Sequence, residues 1–287
     1  MKKLIFAAVF SLFILSACKY GADNPFYPQN SVHFRDTNIS HLTSTGFETL
    51  PSEYNFVVLT DIHYGALPFQ NAPQMPDEVF INWLTNLPAA QKPKFCLILG
   101  DVVDYGDDSQ YAGFNSLVSR IEAQGVKVFN SIGNHDLYNS GFPKWKANCY
   151  PHTSFYDFKT SRFSFYSLDT GSGGPGFEQL ASLKSAFASD SNPKIIFTHY
   201  PMYASPLQFS MNDTTERNLM MSLFAKNNVK LYLCGHIHVY EKYQMQNFEQ
   251  YAIPSFLYKG VWAVVNVNET ANSYNITFYN KGNVYQP

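Results

Sequence analysis

The chain has 287 residues, 45 % hydrophobic and 15 % charged, a balance that excludes a disordered polyelectrolyte and supplies enough apolar material for a sizeable core. Its formal net charge of −2 gives no support to a surface that holds long nucleic acid or another polyanion. Aromatic residues reach 17 %, with 20 Tyr and 25 Phe, which predicts many strands and a tyrosine-rich surface.

The first residues, MKK, are basic, and the run LIFAAVFSLFILSA behind them is apolar. As a helix at ~1.5 Å per residue that run spans about 21 Å, short of the roughly 30 Å hydrocarbon core of a bilayer. It therefore reads as a secretory signal rather than a transmembrane span. The run ends in Leu15–Ser16–Ala17–Cys18, which resembles the lipobox of bacterial lipoproteins. That resemblance implies cleavage before Cys18, lipid on Cys18, and an extracytoplasmic location on a bacterial membrane, periplasmic or at the cell surface. Two or more acyl chains suffice for stable anchoring. Residues 19–30 are rich in Pro, Asn and Gly and read as a tether. The expected organisation is a signal peptide at 1–17, the lipidated Cys18 and tether at 18–50, and a catalytic domain at 51–287. The remaining Cys96, Cys149 and Cys234 are odd in number and contain no CxxC, which argues against a disulfide framework but leaves one bridge open.

Strands and helices then alternate. NFVVLT (55–60) is an unbroken apolar run, as in a strand covered on both faces. Residues 77–87 place Val79, Phe80, Trp83, Leu84 and Leu87 on one side of a helix. KFCLILG (94–100) is another buried strand. Residues 109–125 read as a helix with Ser109 at its N-cap and Gly125 at its end. Strands follow at 126–133, 163–170, 194–200 and 230–236, with helices at 176–188 and 214–227. The tail, from GVWAVVNVNE onward, is strand-like with a turn. This order predicts an α/β fold: a two-sheet β-sandwich flanked by helices, with a parallel first sheet and the tail building a second sheet against it.

Polar residues follow each buried strand. Asp61 and His63 follow the first, Asp101 and Asp104 the second, and Asn134, His135 and Asp136 the third. His199 follows KIIFT, and His236 and His238 follow KLYLC. In open α/β sheets the carboxyl ends of strands border the ligand crevice, so these residues are expected to converge. Carboxylates and imidazoles gathered in one pocket need a partner of opposite charge, and Asp oxygen with His nitrogen suits Zn, Fe or Mn. If the segments are extended, Asp61 with His63 and His236 with His238 each point two side chains to one side, about 6.8 Å apart at Cα, which suits two neighbouring cations. A single HxH or DxH has a bland structural reading too, and GNHD alone is a plausible turn. The ordered set carries the weight. His33, His41 and His152 fall outside it.

In order, TDIHYG, LGDVVDYG, IGNHDLY, FTHYP and CGHIHVY resemble the calcineurin-like metallophosphoesterase superfamily across residues 56–240. The resemblance implies two metal ions. Asp61, His63 and His238 would hold the first; Asn134, His199 and His236 the second; and Asp101 would bridge them. It implies a catalytic role for His135, with Asp136 orienting its imidazole and Asp104 supporting the site. The implied reaction is attack on phosphorus by metal-bound hydroxide, with His135 stabilising the transition state or protonating the leaving oxygen.

Two departures narrow the branch. Tyr105 stands where protein phosphatases of this superfamily carry a phosphate-gripping Arg, and Asp104 stands where purple acid phosphatases place a metal-binding Tyr. HYPMYAS and GHIHVYEKY still resemble the later blocks of the purple acid branch. Tyr64, Tyr105, Tyr200, Tyr203 and Tyr240 flank the motifs, as cleft walls or ordinary packing residues. The function expected is a membrane-anchored phosphoesterase for small phosphate mono- or diesters. The alternatives are a non-catalytic surface-binding lipoprotein that keeps the fold, and a different chemistry on the same two-metal centre.

Overall fold

The computed structural model describes residues 31–66 and 76–287. The expected signal segment, Cys18 and residues 19–30 lie outside the described residues. Among the described residues no helix is long and apolar enough to cross a membrane.

Two sheets form the body. The first contains β2 (Glu53–Leu59), β3 (Phe95–Leu99) and β4 (Lys127–Ser131), paired in parallel. The helices between them are α1 (Pro76–Asn86) and α2 (Asp108–Glu122), within one to three residues of where the apolar spacing puts them. The second sheet holds β1 (Ser40–His41), β5 (Tyr156–Lys159), β6 (Ser164–Ser167), β7 (Lys194–Phe197), β8 (Val229–Cys234), β9 (Glu241–Gln244) and β10 (Glu249–Ala252). Its spatial order is β1-β5-β6-β7-β8-β10-β9. Helices α3 (Phe142–Asn148), α4 (Gly176–Ala188) and α5 (Thr214–Lys226) complete the outer layers.

The tail departs from expectation. Strands β11 (Val261–Asn268) and β12 (Ser273–Asn280) join the first sheet rather than build the second. β11 pairs antiparallel along β2 from Ala263↔Val58 to Asn268↔Glu53, and β13 (Asn283–Tyr285) closes the edge beyond β12. The reason is the free edge of β2: β3 satisfies one side of it, and buried backbone groups on the other side need a partner. The short strands of the middle region make the second sheet.

Strand alternation explains the layers. In β2, Tyr54, Phe56 and Val58 face the space between the sheets, while Val57 and Leu59 face the helices. The inter-sheet layer is aromatic. The Phe158 ring stacks on Phe129 at 4.4 Å and on Phe165 at 4.9 Å, and Phe95 meets Phe129, Phe158 and Phe165 edge-on. Such pairs contribute about 0.5–1.5 kcal/mol each beyond area burial, and they hold the two sheets in fixed register. Cys96, Cys149 and Cys234 are buried as free thiols.

The folded body begins well before residue 51. Arg35 and Asp169 form a bidentate pair at 2.6 and 2.7 Å with both side chains fully buried. Lys146 and the Ser154 amide both donate to Asp36, and β1 pairs with β5. Residues 31–50, placed in the tether by sequence, are thus packed onto the second sheet and its loops.

Candidate metal centre

The site forms where five buried strands stop. Past β2, β3 and β8 the chain turns sharply, with positive φ at Asp61 (52°), His63 (47°), Asp101 (50°), His236 (70°) and His238 (61°). The extended geometry expected for the two i, i+2 pairs is therefore replaced by left-handed residues. Each such non-glycine residue costs about 1–3 kcal/mol and persists only where its surroundings over-determine it. The surroundings do so here: Asp61 N donates to Gly100 O, His63 N to Asp101 O and Tyr64 N to Val102 O. The Asp61 carbonyl also accepts from Ser255 Oγ at 3.0 Å and Leu257 N at 3.3 Å. Gly235 is required at its position, since a Cβ there would fall on Thr60 Oγ1 and Asp61 Oδ2.

The donor atoms of Asp61, His63, Asp101 and His238 all lie within 4.8 Å of one another, and so do those of Asp101, His199 and His236. Asp101 belongs to both groups. His238 Nε2 stands 3.2 Å from Asp61 Oδ1, and His63 Nε2 stands 3.6 Å from Asp101 Oδ2. On the other side, His199 Nε2 is 3.2 Å from Asp101 Oδ2 and 3.1 Å from Asn134 Oδ1. Ligands bound at about 2.0–2.2 Å to one cation lie roughly 3–3.5 Å apart, so the spacing fits coordination.

The chemistry of the donors fits cations as well. His199 Nδ1 donates to the Leu99 carbonyl at 2.8 Å, which leaves Nε2 as the coordinating nitrogen. His63 Nδ1 faces Asp104 Oδ1 at 3.2 Å, leaving its Nε2 3.3 Å from His238 Nε2. Asp61 Oδ1 is buried without an aligned hydrogen-bond donor. Two imidazole nitrogens turned toward each other beside an orphaned carboxylate oxygen call for a positive ion between them. Burial, aided by neighbouring His199, lowers the His236 pKa to about 3, so this imidazole is neutral and free to ligate. Burial opposes a proton on His199, but the Asp101 and Asp61 carboxylates outweigh it and raise the pKa to about 9.

Comparison with known proteins gives the chain its family. The sequence profile of the family described as Calcineurin-like phosphoesterase matches residues 54–240, well over half of the chain. The chain belongs to the calcineurin-like phosphoesterase family. It is accordingly a metal-dependent hydrolase, and its family uses two metal ions. No curated protein sequence matches this phosphoesterase. Among solved structures, a dimetal phosphatase from Danio rerio is similar at 13 % identity over 75 % of this chain and 93 % of that one, with a TM-score of 0.59. Purple acid phosphatase PPD1 from yellow lupin (Lupinus luteus) seeds is similar at 15 % identity over 82 % of this chain, with a TM-score of 0.61. The match covers 54 % of the lupin enzyme. GAP50, the anchor in the inner membrane complex of Plasmodium, is similar at 16 % identity over 82 % of this chain and 87 % of that one, with a TM-score of 0.59. At such identities the likeness shows the fold.

Around the ligand set, the phosphoesterase places the remaining residues differently from the sequence reading. Asp136 does not touch His135. It is fully buried and accepts the backbone N–H groups of Gly133, Asp101, Val102 and Val103, tying the third strand end to the second. Burial and the Asp101 carboxylate push its pKa up to about 7 against those donors. Asp104 orients His135 instead: its carbonyl accepts from His135 Nδ1 at 2.9 Å, and its carboxylate lies 3.4 Å from the same nitrogen. The His135 Nε2 edge is thereby left free. Burial disfavours the His135 proton, but Asp101 and Asp104 raise its pKa to about 9.

Of the flanking tyrosines, Tyr200 stacks on His236 at 3.9 Å and Tyr105 is exposed beside the site. Tyr64 bonds Asp77, Tyr203 packs under Arg217, and Tyr240 packs on Phe278, all in packing roles. Two tyrosines escaped sequence reasoning. Tyr138 lies 4.6 Å from the His135 ring, and its position three residues after His135 was a usable signal. Tyr258 stacks on His238 at 5.1 Å and lies beyond the last motif, where nothing in the sequence marks it. His33, His41 and His152 pair elsewhere, with Glu178, Asp157 and the Lys146 carbonyl.

Proposed function

We propose that this chain is an extracytoplasmic, lipid-anchored phosphoesterase that hydrolyses small phosphate mono- or diesters, with Asp61, His63, Asp101, Asn134, His199, His236 and His238 holding its two ions. The observation that carries the catalytic reading is the sharing of Asp101 between two ligand groups, with the free edge of His135 beside them. Bound there, two divalent cations supply charge for the phosphoryl oxygens and lower the pKa of water. The protein supplies the rest. Asp104 pins His135 Nδ1, so Nε2 can hold a proton for the leaving oxygen. The anionic ester is drawn by the centre and needs no basic surface, consistent with the net charge of −2. The anchor and location rest on the Leu15–Cys18 pattern alone.

The catalytic reading is tested with the chain lacking residues 1–18, loaded with Mn, Zn or Fe and assayed on p-nitrophenyl phosphate and its bis ester. Turnover of one or both is expected, and the preferred ester separates phosphatase from phosphodiesterase. A folded, two-metal sample that cleaves neither supports the non-catalytic binding lipoprotein instead. For the anchor, incorporation of labelled palmitate is expected in the full chain and not in Cys18→Ser; equal labelling removes it.

A further inference from the structure

The rings at the mouth of the centre form a continuous row. Tyr258 lies 5.9 Å from His63, His63 lies 4.5 Å from His135, His135 lies 4.6 Å from Tyr138, and Tyr138 lies 6.2 Å from Tyr105. His135 stands in the middle. The two outer members, Tyr258 and Tyr105, are the exposed ones, at 47 % and 46 %. Exposed tyrosine rings beside a charged centre offer apolar faces to a group bound there.

Both residues are anchored, Tyr258 through its ring as well as its backbone and Tyr105 through its backbone. Tyr258 sits on the short helix α6 (Phe256–Lys259), and that helix is bolted to the first ligand segment. Phe256 N donates to Thr60 O, Leu257 N to Asp61 O, and Ser255 Oγ to Asp61 O while accepting from Tyr258 N. The Tyr258 ring is further fixed by its stack on His238, at an interplanar angle of 25°. Tyr105 is held at both backbone ends: its N–H donates to Gln110 Oε1 at 2.8 Å and its carbonyl accepts from Asn139 Nδ2 at 3.0 Å. A ring already held by a stack, or carried on an anchored backbone, binds a planar group at a lower ordering cost.

We propose that Tyr258 and Tyr105 are specificity-determining residues that flank the leaving group, and that the preferred substrates are phosphate esters whose alcohol carries a planar aromatic group. The inference rests on the phosphoesterase reading above. With phosphate at the ions and His135 Nε2 at the leaving oxygen, the departing alcohol lies along the ring row, between its exposed ends. An aryl ring or a nucleobase there stacks on tyrosine; a small alkyl alcohol leaves both rings wet. The row is asymmetric, with Tyr258 close to the ions and Tyr105 farther out. A compact aryl ester therefore depends chiefly on Tyr258, and a nucleoside ester on both.

The test uses the full metal-loaded chain in detergent. Naphthyl phosphate is compared with hexafluoroisopropyl phosphate, an alkyl ester of similar leaving-group acidity, and adenosine monophosphate with ribose phosphate. The variants are Tyr258→Leu, Tyr105→Leu, and each Tyr→Phe. Aromatic stacking of about 0.5–1.5 kcal/mol corresponds to a two- to tenfold effect. For Tyr258→Leu the expected result is about a five- to tenfold loss of kcat/KM on naphthyl phosphate, carried by KM, with hexafluoroisopropyl phosphate changed less than about twofold. Tyr105→Leu is expected to show its loss on adenosine monophosphate. The Tyr→Phe variants should retain the aromatic preference. Binding of a non-hydrolysable naphthylmethyl phosphonate, followed by calorimetry, should weaken by the same factor. Equal losses on aryl and alkyl esters assign these residues to support of the ligands and overturn the proposal, as does no loss on either. Absence of hydrolysis of every ester by the unaltered chain removes the phosphoesterase reading; normal hydrolysis without an aromatic preference removes only this inference.

Discussion

The two halves of the centre use similar residue types under different conditions. Asp61, His63 and His238 form a half with a carboxylate of its own and a share of Asp101, and it opens to solvent through His238, whose side chain is 34 % exposed. Asn134, His199 and His236 form a half with a neutral amide where the other has Asp61; His199 within it is fully buried, while Asn134 and His236 are half-buried. A cation in the first half meets two negative charges, and one in the second meets only the shared one. At equal distance the Coulomb attraction is roughly halved, and the second ion also faces the first. On the proposed ligand assignment the Asp61 side is expected to fill before the Asn134 side, with Asp101 the residue on which both halves depend.

Removing the shared carboxylate should break the comparison outright. In Asp101→Asn neither half keeps its full ligand set, and turnover should fall by more than about a thousandfold, beyond the 10–100-fold typical of a residue that only supports a ligand. Metal analysis should find fewer than two ions per chain; two retained ions would end the bridging role. A smaller effect, on chemistry alone, is expected for His135→Ala, since His135 belongs to neither half. Both ions should remain while turnover on alkyl esters falls about a hundred- to a thousandfold, with less loss on esters that have good leaving groups. Full activity on alkyl esters would take His135 out of the mechanism. The smallest effect sharpens the difference between the halves. In the metal-free chain His199 carries a proton below about 9, where Asp101 and Asp61 outweigh burial, and a cation at Nε2 must displace it. Apparent affinity in the second half should therefore fall as pH is lowered and His199 takes up its proton, by up to about tenfold per pH unit. Calorimetric titration with Mn at several pH values measures it, and a pH-independent second binding step would contradict it.

How the site could be read from sequence follows from how it is built. Each ligand sits two to four residues past an apolar strand, so periodicity located the strand ends and the residue types named the chemistry. Local backbone was less legible. Asp61, His63, His236 and His238 adopt left-handed conformations because hydrogen bonds from other strand ends hold them there, and such bonds are not visible in a window of neighbours. Asp136 illustrates the same limit: the family resemblance implied that it orients His135, while its carboxylate turns inward to four amides.

The sequence by itself determined the α/β alternation, the buried strands, the order of the metal-ligand motifs and their chemistry, because these depend on side-chain type and short-range spacing. Only the tertiary structure decided that the tail completes the first sheet, that residues 31–50 belong to the body, that Asp104 rather than Asp136 holds His135, and that Tyr258 reaches His238. Those depend on which free strand edge, buried charge or exposed ring meets which other across the fold. Such meetings are fixed by hydrogen-bond satisfaction and packing between segments far apart in the chain.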